Sequence, residues 1–168
     1  MVLIVRQNFY KNAILFKNKA KQLRNVLNTN IPITHVGSTA IPKMSGKNII
    51  DILVGATNEI EFNEIANKIT ELDYFSSKNS KQKEYLFFAS KEEETKSGDV
   101  HIHLALLGTD RYNNFISLKE YLLRNPKKAK TYSDNKMKLA KLAEKDRSEY
   151  KRLKSEEVSE LIRMAKGE

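Results

Sequence analysis

Apolar residues recur at Phe9, Ala13, Phe16, Ala20, Leu23 and Leu27, alternately four and three apart, which places them on one face of a helix. The other face of that segment is rich in Lys and Arg, and Asn28, Asn30 and Pro32 close it. A short strand over roughly 32–36 then leads into Gly37-Ser38, and Pro42 and Gly46 mark irregular backbone or a short helical turn. Residues 48–56, NIIDILVGA, form a nearly continuous Ile- and Val-rich apolar run too short for a typical helix, which predicts a buried strand. Asn58 with Glu61 three residues on opens a second helix, carried by Phe62, Ile65, Ile69 and Leu72. Tyr74-Phe75 begins a strand, and YLFFAS (85–90) and VHIHLALL (100–107) read as a strand pair joined by the charged loop KEEETKSGD.

The last third reads as three helices. The first carries Phe115, Leu118 and Leu122 and stops at Pro126. The second restarts at that proline, with Ala129, Tyr132, Leu139, Ala140 and Ala143 as its apolar stripe. The third, about 146–166, buries Tyr150, Val158, Leu161 and Ala165. The order α-β-β-α-β-β-α-α-α predicts an α+β fold, a small mixed sheet with helices gathered against it. A chain of 168 residues fits one domain, 1–168, with a sheet core over 1–110 and a helical portion over 111–168.

Composition narrows the chemistry. The chain has no cysteine, which excludes disulfides and thiolate metal sites and fits a reducing compartment. Residues 1–9 lack a signal-peptide pattern and no apolar run reaches the length of a membrane span, so a cytoplasmic protein without a membrane partner is expected. Charge is unevenly distributed. Residues 1–30 hold six Lys/Arg and no acid, 31–110 hold eight against twelve acids, and 111–168 hold sixteen against nine. Basic end segments around a mildly acidic middle favour polyanions, or are simply solvated lysine faces.

Three features carry candidate chemistry. Gly37 lets backbone approach a ligand closely and Ser38 offers a hydroxyl and an N–H, although a purely structural turn has the same pattern. Asp51 interrupts an apolar strand, where an unpartnered carboxylate is costly, so it must be solvent-accessible, protonated, or meet a metal or cation; Lys47 is the nearest cation in sequence. His101 and His103 alternate along one strand and so share a side, suiting a metal, a phosphate or a solvated sheet face. His35 stands beside the Gly-Ser turn. There is no P-loop, HExxH, EF-hand or GxSxG pattern.

HVGSTAIP followed by KNIIDILV, then HIHLAL, then FISLKEYLLRNPKKAKTYSDNKMKLA with Tyr150 and Lys154, together resemble the GrpB-like family of the nucleotidyltransferase superfamily over nearly the whole chain. The resemblance implies a nucleotidyltransferase-like mixed sheet flanked by helices. It also implies a pocket in which a Gly-Ser turn, here Gly37 and Ser38, holds the phosphates of a nucleotide or phosphorylated small molecule. Active members of that superfamily hold two divalent metals on an Asp-x-Asp pair and a third carboxylate. Asp51 matches the first position, Leu53 occupies the second, and His101 or His103 stands at the third. Mg²⁺ or Mn²⁺ is the implied cofactor, but one carboxylate with imidazoles better suits a single softer metal or direct phosphate contact.

The sequence therefore supports a phosphate-handling pocket, and possible transferase activity, with Gly37, Ser38, Lys47 and His35 holding phosphate. Asp51 and His103 would be its catalytic groups, and Asp51, His101 and His103 its metal ligands. The alternative is a non-catalytic nucleic-acid-binding module that uses the basic terminal helices. A third reading, a metal-dependent phosphoesterase, requires His35, Asp51, His101 and His103 to converge.

Overall fold

A computed structural model describes residues 4–27, 30–76, 83–90, 99–142 and 147–167. Helix α1 (Phe9–Val26) is capped by Asn8, whose side chain accepts from the Lys11 backbone N–H at 3.0 Å. Of the stripe expected for it, Ala20, Leu23 and Leu27 are buried. Helix α2 (Glu59–Glu71) starts as its sequence predicts, with the Asn58 side chain accepting from Glu61 N–H at 3.0 Å. The Glu61 carboxylate reaches one residue further back than a standard capping box, to Thr57 N–H at 2.6 Å. Helices α3 (Asp110–Arg124), α4 (Pro126–Leu142) and α5 (Arg147–Lys166) form the last third, and Pro126 is the first residue of α4, where its missing N–H costs nothing.

Two short strands, β1 (Val5–Arg6) and β3 (Ser45–Gly46), pair antiparallel into a ribbon that the hydrophobic pattern does not foresee. The segment after Gly37 is a 3₁₀ turn, Ser38–Ala40. The main sheet contains β2 (Ile33–Val36), β4 (Ile50–Ala56), β5 (Tyr74–Ser76), β6 (Tyr85–Ser90) and β7 (Val100–Leu106), in the spatial order β2-β4-β7-β6-β5. Only β4 and β7 run parallel, so the sheet is mixed as expected. The 91–98 part of the loop expected between β6 and β7 lies outside the described residues, as do Asn28, Ala143 and the Tyr150 side chain.

The pleat assigns the strand residues to two faces. One face presents Ile50, Ile52, Val54, Ile102 and Leu104 to the core that α1 and α2 cover. The other presents Val36, Leu53, Tyr85 and Ala105, against which Tyr112, Phe115 and Ile116 of α3 pack. A further apolar cluster joins Ile41 and Met44 to Leu122, Ala129, Tyr132 and Leu161 of α3, α4 and α5. A buried hydrogen bond from Ser45 N–H to Ser133 Oγ, 2.8 Å, ties β3 to α4.

Candidate functional site

A cavity of about 300 Å³ opens between the second face of the sheet, the Gly37–Ser38 turn and the three C-terminal helices. Gly37 has φ +71°, and a Cβ there would overlap Asp51 Oδ2, so the turn closes onto the strand only because position 37 has no side chain. Gly46 of β3 makes the same allowance for Ser38, since a Cβ on it would overlap Ser38 Oγ. Ser38, Lys47, Asp51, His101 and His103 all line the cavity with Gly37.

Asp51 pairs across β4 and β7 with His101, and Leu53 pairs with His103, which sets both imidazoles on the carboxylate's side of the sheet. His101 Nδ1 lies 3.2 Å and His103 Nε2 3.4 Å from the same oxygen, Asp51 Oδ1. The Asp51 side chain keeps 22% of its surface accessible. Burial pushes its carboxyl up, but hydrogen bonds from the two histidines, aided by their charge, outweigh burial and hold it well below the ordinary carboxylate range. The second nitrogen of His103, Nδ1, meets Tyr85 Oη at 2.7 Å, and Arg111 lies over the Tyr85 ring at 4.2 Å from its centroid.

These groups do not fit a bound metal as they stand. Both imidazole nitrogens nearest Asp51 face a carboxylate oxygen, so they act as donors and have no lone pair to offer there. Leu53 is fully buried against Val36, Tyr85 and Ala105, and its side chain offers no ligand atom. Among the described residues no three His, Asp or Glu side chains are arranged to hold a metal ion.

His35 departs from its expected place. Val36, not His35, pairs with Asp51, so His35 points to the α1 side of the sheet. There its ring stacks on Phe16, with centroids 4.6 Å apart and planes at 6°, and meets Thr39 Oγ1 at 2.9 Å. Burial, then the charge of Lys119, lower its pKa to about 4 against a smaller opposing effect of Asp51. His35 is thus a packed neutral histidine outside the cavity, and a site requiring it to converge with Asp51, His101 and His103 is not formed.

The opposite wall holds residues that the sequence reading did not single out as ligands. Lys119 of α3, Lys136 of α4 and Lys154 of α5 line the cavity together. Each occupies a position within its helix's apolar stripe: Lys119 four residues after Phe115, Lys136 four after Tyr132, and Lys154 four before Val158. That interruption is the signal that identifies them, and it is the same one that marks Asp51 in its strand. Lys136 is only 4% exposed, and its ammonium lies 4.6 Å from the centre of the Tyr132 ring. Burial, then repulsion from Lys154, lower its pKa to about 7, with Asp51 and Glu157 opposing. Burial also lowers Lys119.

The mixed five-stranded sheet with α1 and α2 on one face and the C-terminal helices on the other is a fold shared with a solved GrpB protein. The chain matches the family model described as GrpB protein over residues 7–164, and it belongs to that family. It is 28% identical to the glutamate-rich protein GrpB of Alkalihalophilus pseudofirmus over 167 residues, covering 96% of this chain and 94% of that one. The crystal structure of the conserved protein GrpB from Enterococcus faecalis superposes with a TM-score of 0.82 at 19% identity, over 97% of this chain and 96% of that chain. A looser likeness, with a TM-score of 0.47 and 10% identity over 76% of this chain and 44% of that one, extends to the Cid1 poly(U) polymerase.

Proposed function

We propose that this protein binds a phosphorylated small molecule or mononucleotide, with its phosphates between the Gly37–Ser38 turn and the lysines of the helical wall. The observation that carries this reading is the lysine set. Burying an ammonium in an apolar stripe opposes folding unless something repays it, and three helices each bring one lysine to the same cavity. Lys136 and Lys154 repel one another, with Asp51 and Glu157 opposing. A phosphate oxygen between them would offset both costs through charge-assisted hydrogen bonds. Apolar side chains such as Ile41, Phe115 and Leu118 complete the lining, as an organic moiety beside the phosphates requires. With Leu53 in place of a second carboxylate, the phosphate-holding half of a nucleotidyltransferase-type site is the better supported half.

The test is calorimetric titration with tripolyphosphate and with ATP, GTP, CTP and UTP, each with and without Mg²⁺ or Mn²⁺. Binding is expected without metal, and Lys136→Met should weaken it by about tenfold or more, the worth of one hydrogen bond to a charged group. Absence of binding across the panel by folded protein would refute the reading.

A second reading, contact with a nucleic-acid backbone, is favoured by the outer face of α1, where Lys11, Lys17, Lys21 and Arg24 are all exposed and residues 1–30 hold no acid. Retention on RNA should then fall steeply with salt. Salt-independent or undetectable retention would remove it.

A further inference from the structure

Helix α1 packs on the sheet with one flank and leaves another open along most of its length. Tyr10, Ile14, Lys17, Lys21 and Arg24, alternately four and three residues apart, fall on one line of about 21 Å. All five are exposed. Tyr10, at 78%, is the most exposed large apolar side chain among the described residues, and Ile14 follows one turn on at 61%. Phe9 makes an edge contact with the Tyr10 ring, 5.6 Å between centroids and 73° between planes, and at that exposure a ring face stays open to solvent. The helix contains no Asp or Glu, so no carboxylate of its own neutralises the three cations. The other helix on this face of the sheet, α2, is the reverse, with Glu59, Glu64 and Glu71 exposed. A polyanion on this side of the molecule is therefore drawn to α1 rather than α2.

We infer that this flank is a binding surface for single-stranded nucleic acid, with a base stacked on Tyr10 and neighbouring phosphates on Lys17, Lys21 and Arg24. The inference rests on the second reading above, backbone contact by α1, and adds which form of nucleic acid the helix takes. The cations do not separate the forms, because a duplex and a single strand both present phosphates. The apolar end does. A duplex keeps the faces of its bases inside the stack, so Tyr10 and Ile14 would meet only sugar and phosphate. A single strand can turn a base onto the phenol ring while its backbone runs on along the cations. Every base has a π-face, so the contact tolerates any sequence. An anionic membrane calls for apolar side chains along the length of a helix, whereas on this line they hold the first two positions and the charges hold the last three.

Fluorescence anisotropy of the full chain tests this, with a labelled single-stranded RNA oligonucleotide and with the same strand annealed to its complement. At equal salt the strand should bind at least about fivefold more tightly than the duplex. Tyr10→Ala should weaken strand binding about tenfold, the worth of one base–aromatic stack, and leave duplex binding within about twofold. It should not change the slope of log affinity against log salt, since it removes no phosphate contact, whereas Lys21→Ala should lower that slope by about 0.7. Tyr10→Phe keeps the ring and should bind the strand within about twofold of the unaltered protein. Ultraviolet cross-linking should join the strand to the peptide that carries Tyr10. Salt-dependent binding in which the duplex matches the strand, or in which Tyr10→Ala changes nothing, overturns the single-strand assignment and leaves the backbone reading standing. Absence of salt-dependent binding to either form overturns both. Retention on phosphatidylserine vesicles, with none on the strand, assigns the flank to a lipid surface and overturns both as well.

Discussion

His35 and His101 stand on the two strands that flank β4, yet the sheet puts them to opposite uses. On the α1 side, His35 is stacked on Phe16, hydrogen-bonded to Thr39 and held neutral by burial. On the α3 side, His101 shares a carboxylate with His103 and faces a cavity. Neither the residue type nor the strand decides the difference. The register of β2 against β4 does, by pairing Val36 rather than His35 with Asp51, and a one-residue shift would exchange the two faces. One face is therefore closed over a stacked, hydrogen-bonded, neutral histidine. The other opens on a cavity that gathers an ionised carboxylate, two imidazoles and three lysines, of which Lys136 and Lys154 repel each other.

The largest expected break in that division is at the turn that closes the open face. Gly37→Ala forces a side chain onto Asp51 in a backbone region that only glycine adopts readily, with φ +71° and ψ −170°. It should cost at least about 3 kcal/mol, read from the urea midpoint, and abolish tripolyphosphate binding in whatever folded protein remains. A loss of stability with binding intact would show that the turn is no part of the ligand site.

The closed face is sharpened by acid. Unfolded His35 takes up its proton near pH 6.5, whereas the folded protein resists until about pH 4. Between those values the unfolded state binds more protons, so stability falls as pH drops from about 6.5 to 4 and then levels off for this group, by about 3 kcal/mol in all. Asp51 acts in a separate window. Its folded pKa is depressed, so its contribution is complete above the ordinary carboxylate value and is lost only at more acid pH. His35→Phe keeps the stacking on Phe16 and should remove most of the slope between pH 6.5 and 4, with ligand affinity unchanged. Equal slopes in the two proteins would place the acid sensitivity elsewhere.

On the open face the informative change is the removal of a charge. Lys136→Met replaces a buried ammonium with an apolar chain of similar length, and it should stabilise the protein by about 2 kcal/mol while weakening tripolyphosphate binding. Its pH dependence is distinctive. With a folded pKa of about 7, Lys136 binds fewer protons than in the unfolded chain from there up to about 10.5, so native stability rises with pH over that range and the variant's does not. Ligand affinity should decline above pH 7, because binding must then recharge the lysine. Proton uptake measured in buffers of different ionisation enthalpy checks this, and its absence would separate Lys136 from the bound anion.

Asp51, His101 and His103 are legible in the sequence because a polar residue inside a short apolar strand stands out, and because alternation along a strand settles which histidines share a side. His35 is not legible in the same way. A lone histidine in a four-residue strand has a defined face only once its partner strand and register are known, and both are long-range properties. The ribbon of β1 and β3 escapes for a related reason, since two residues on each side give no period. Lys119, Lys136 and Lys154 carry the same kind of interruption as Asp51, but helices tolerate lysine widely and its aliphatic stem can lie on apolar surface. A stripe lysine therefore reads as a solvated edge until three of them are seen to meet.

The smallest effect on the cavity belongs to the outer face of α1, and it tests whether anion binding is a property of the pocket or of overall positive charge. Lys17→Glu, Lys21→Glu and Arg24→Glu together alter only exposed groups and should change stability by less than about 0.5 kcal/mol each. If RNA contacts this helix, the triple variant should lose retention, and the slope of log affinity against log salt should fall by about 0.7 for each phosphate contact removed. Tripolyphosphate binding should change by no more than about twofold, because exposed charges beyond a Debye length are largely screened at physiological salt. A loss matching that of Lys136→Met would mean that α1 and the cavity act as one diffuse basic surface. The contrast between a closed and an open face of the sheet would then say nothing about ligand binding.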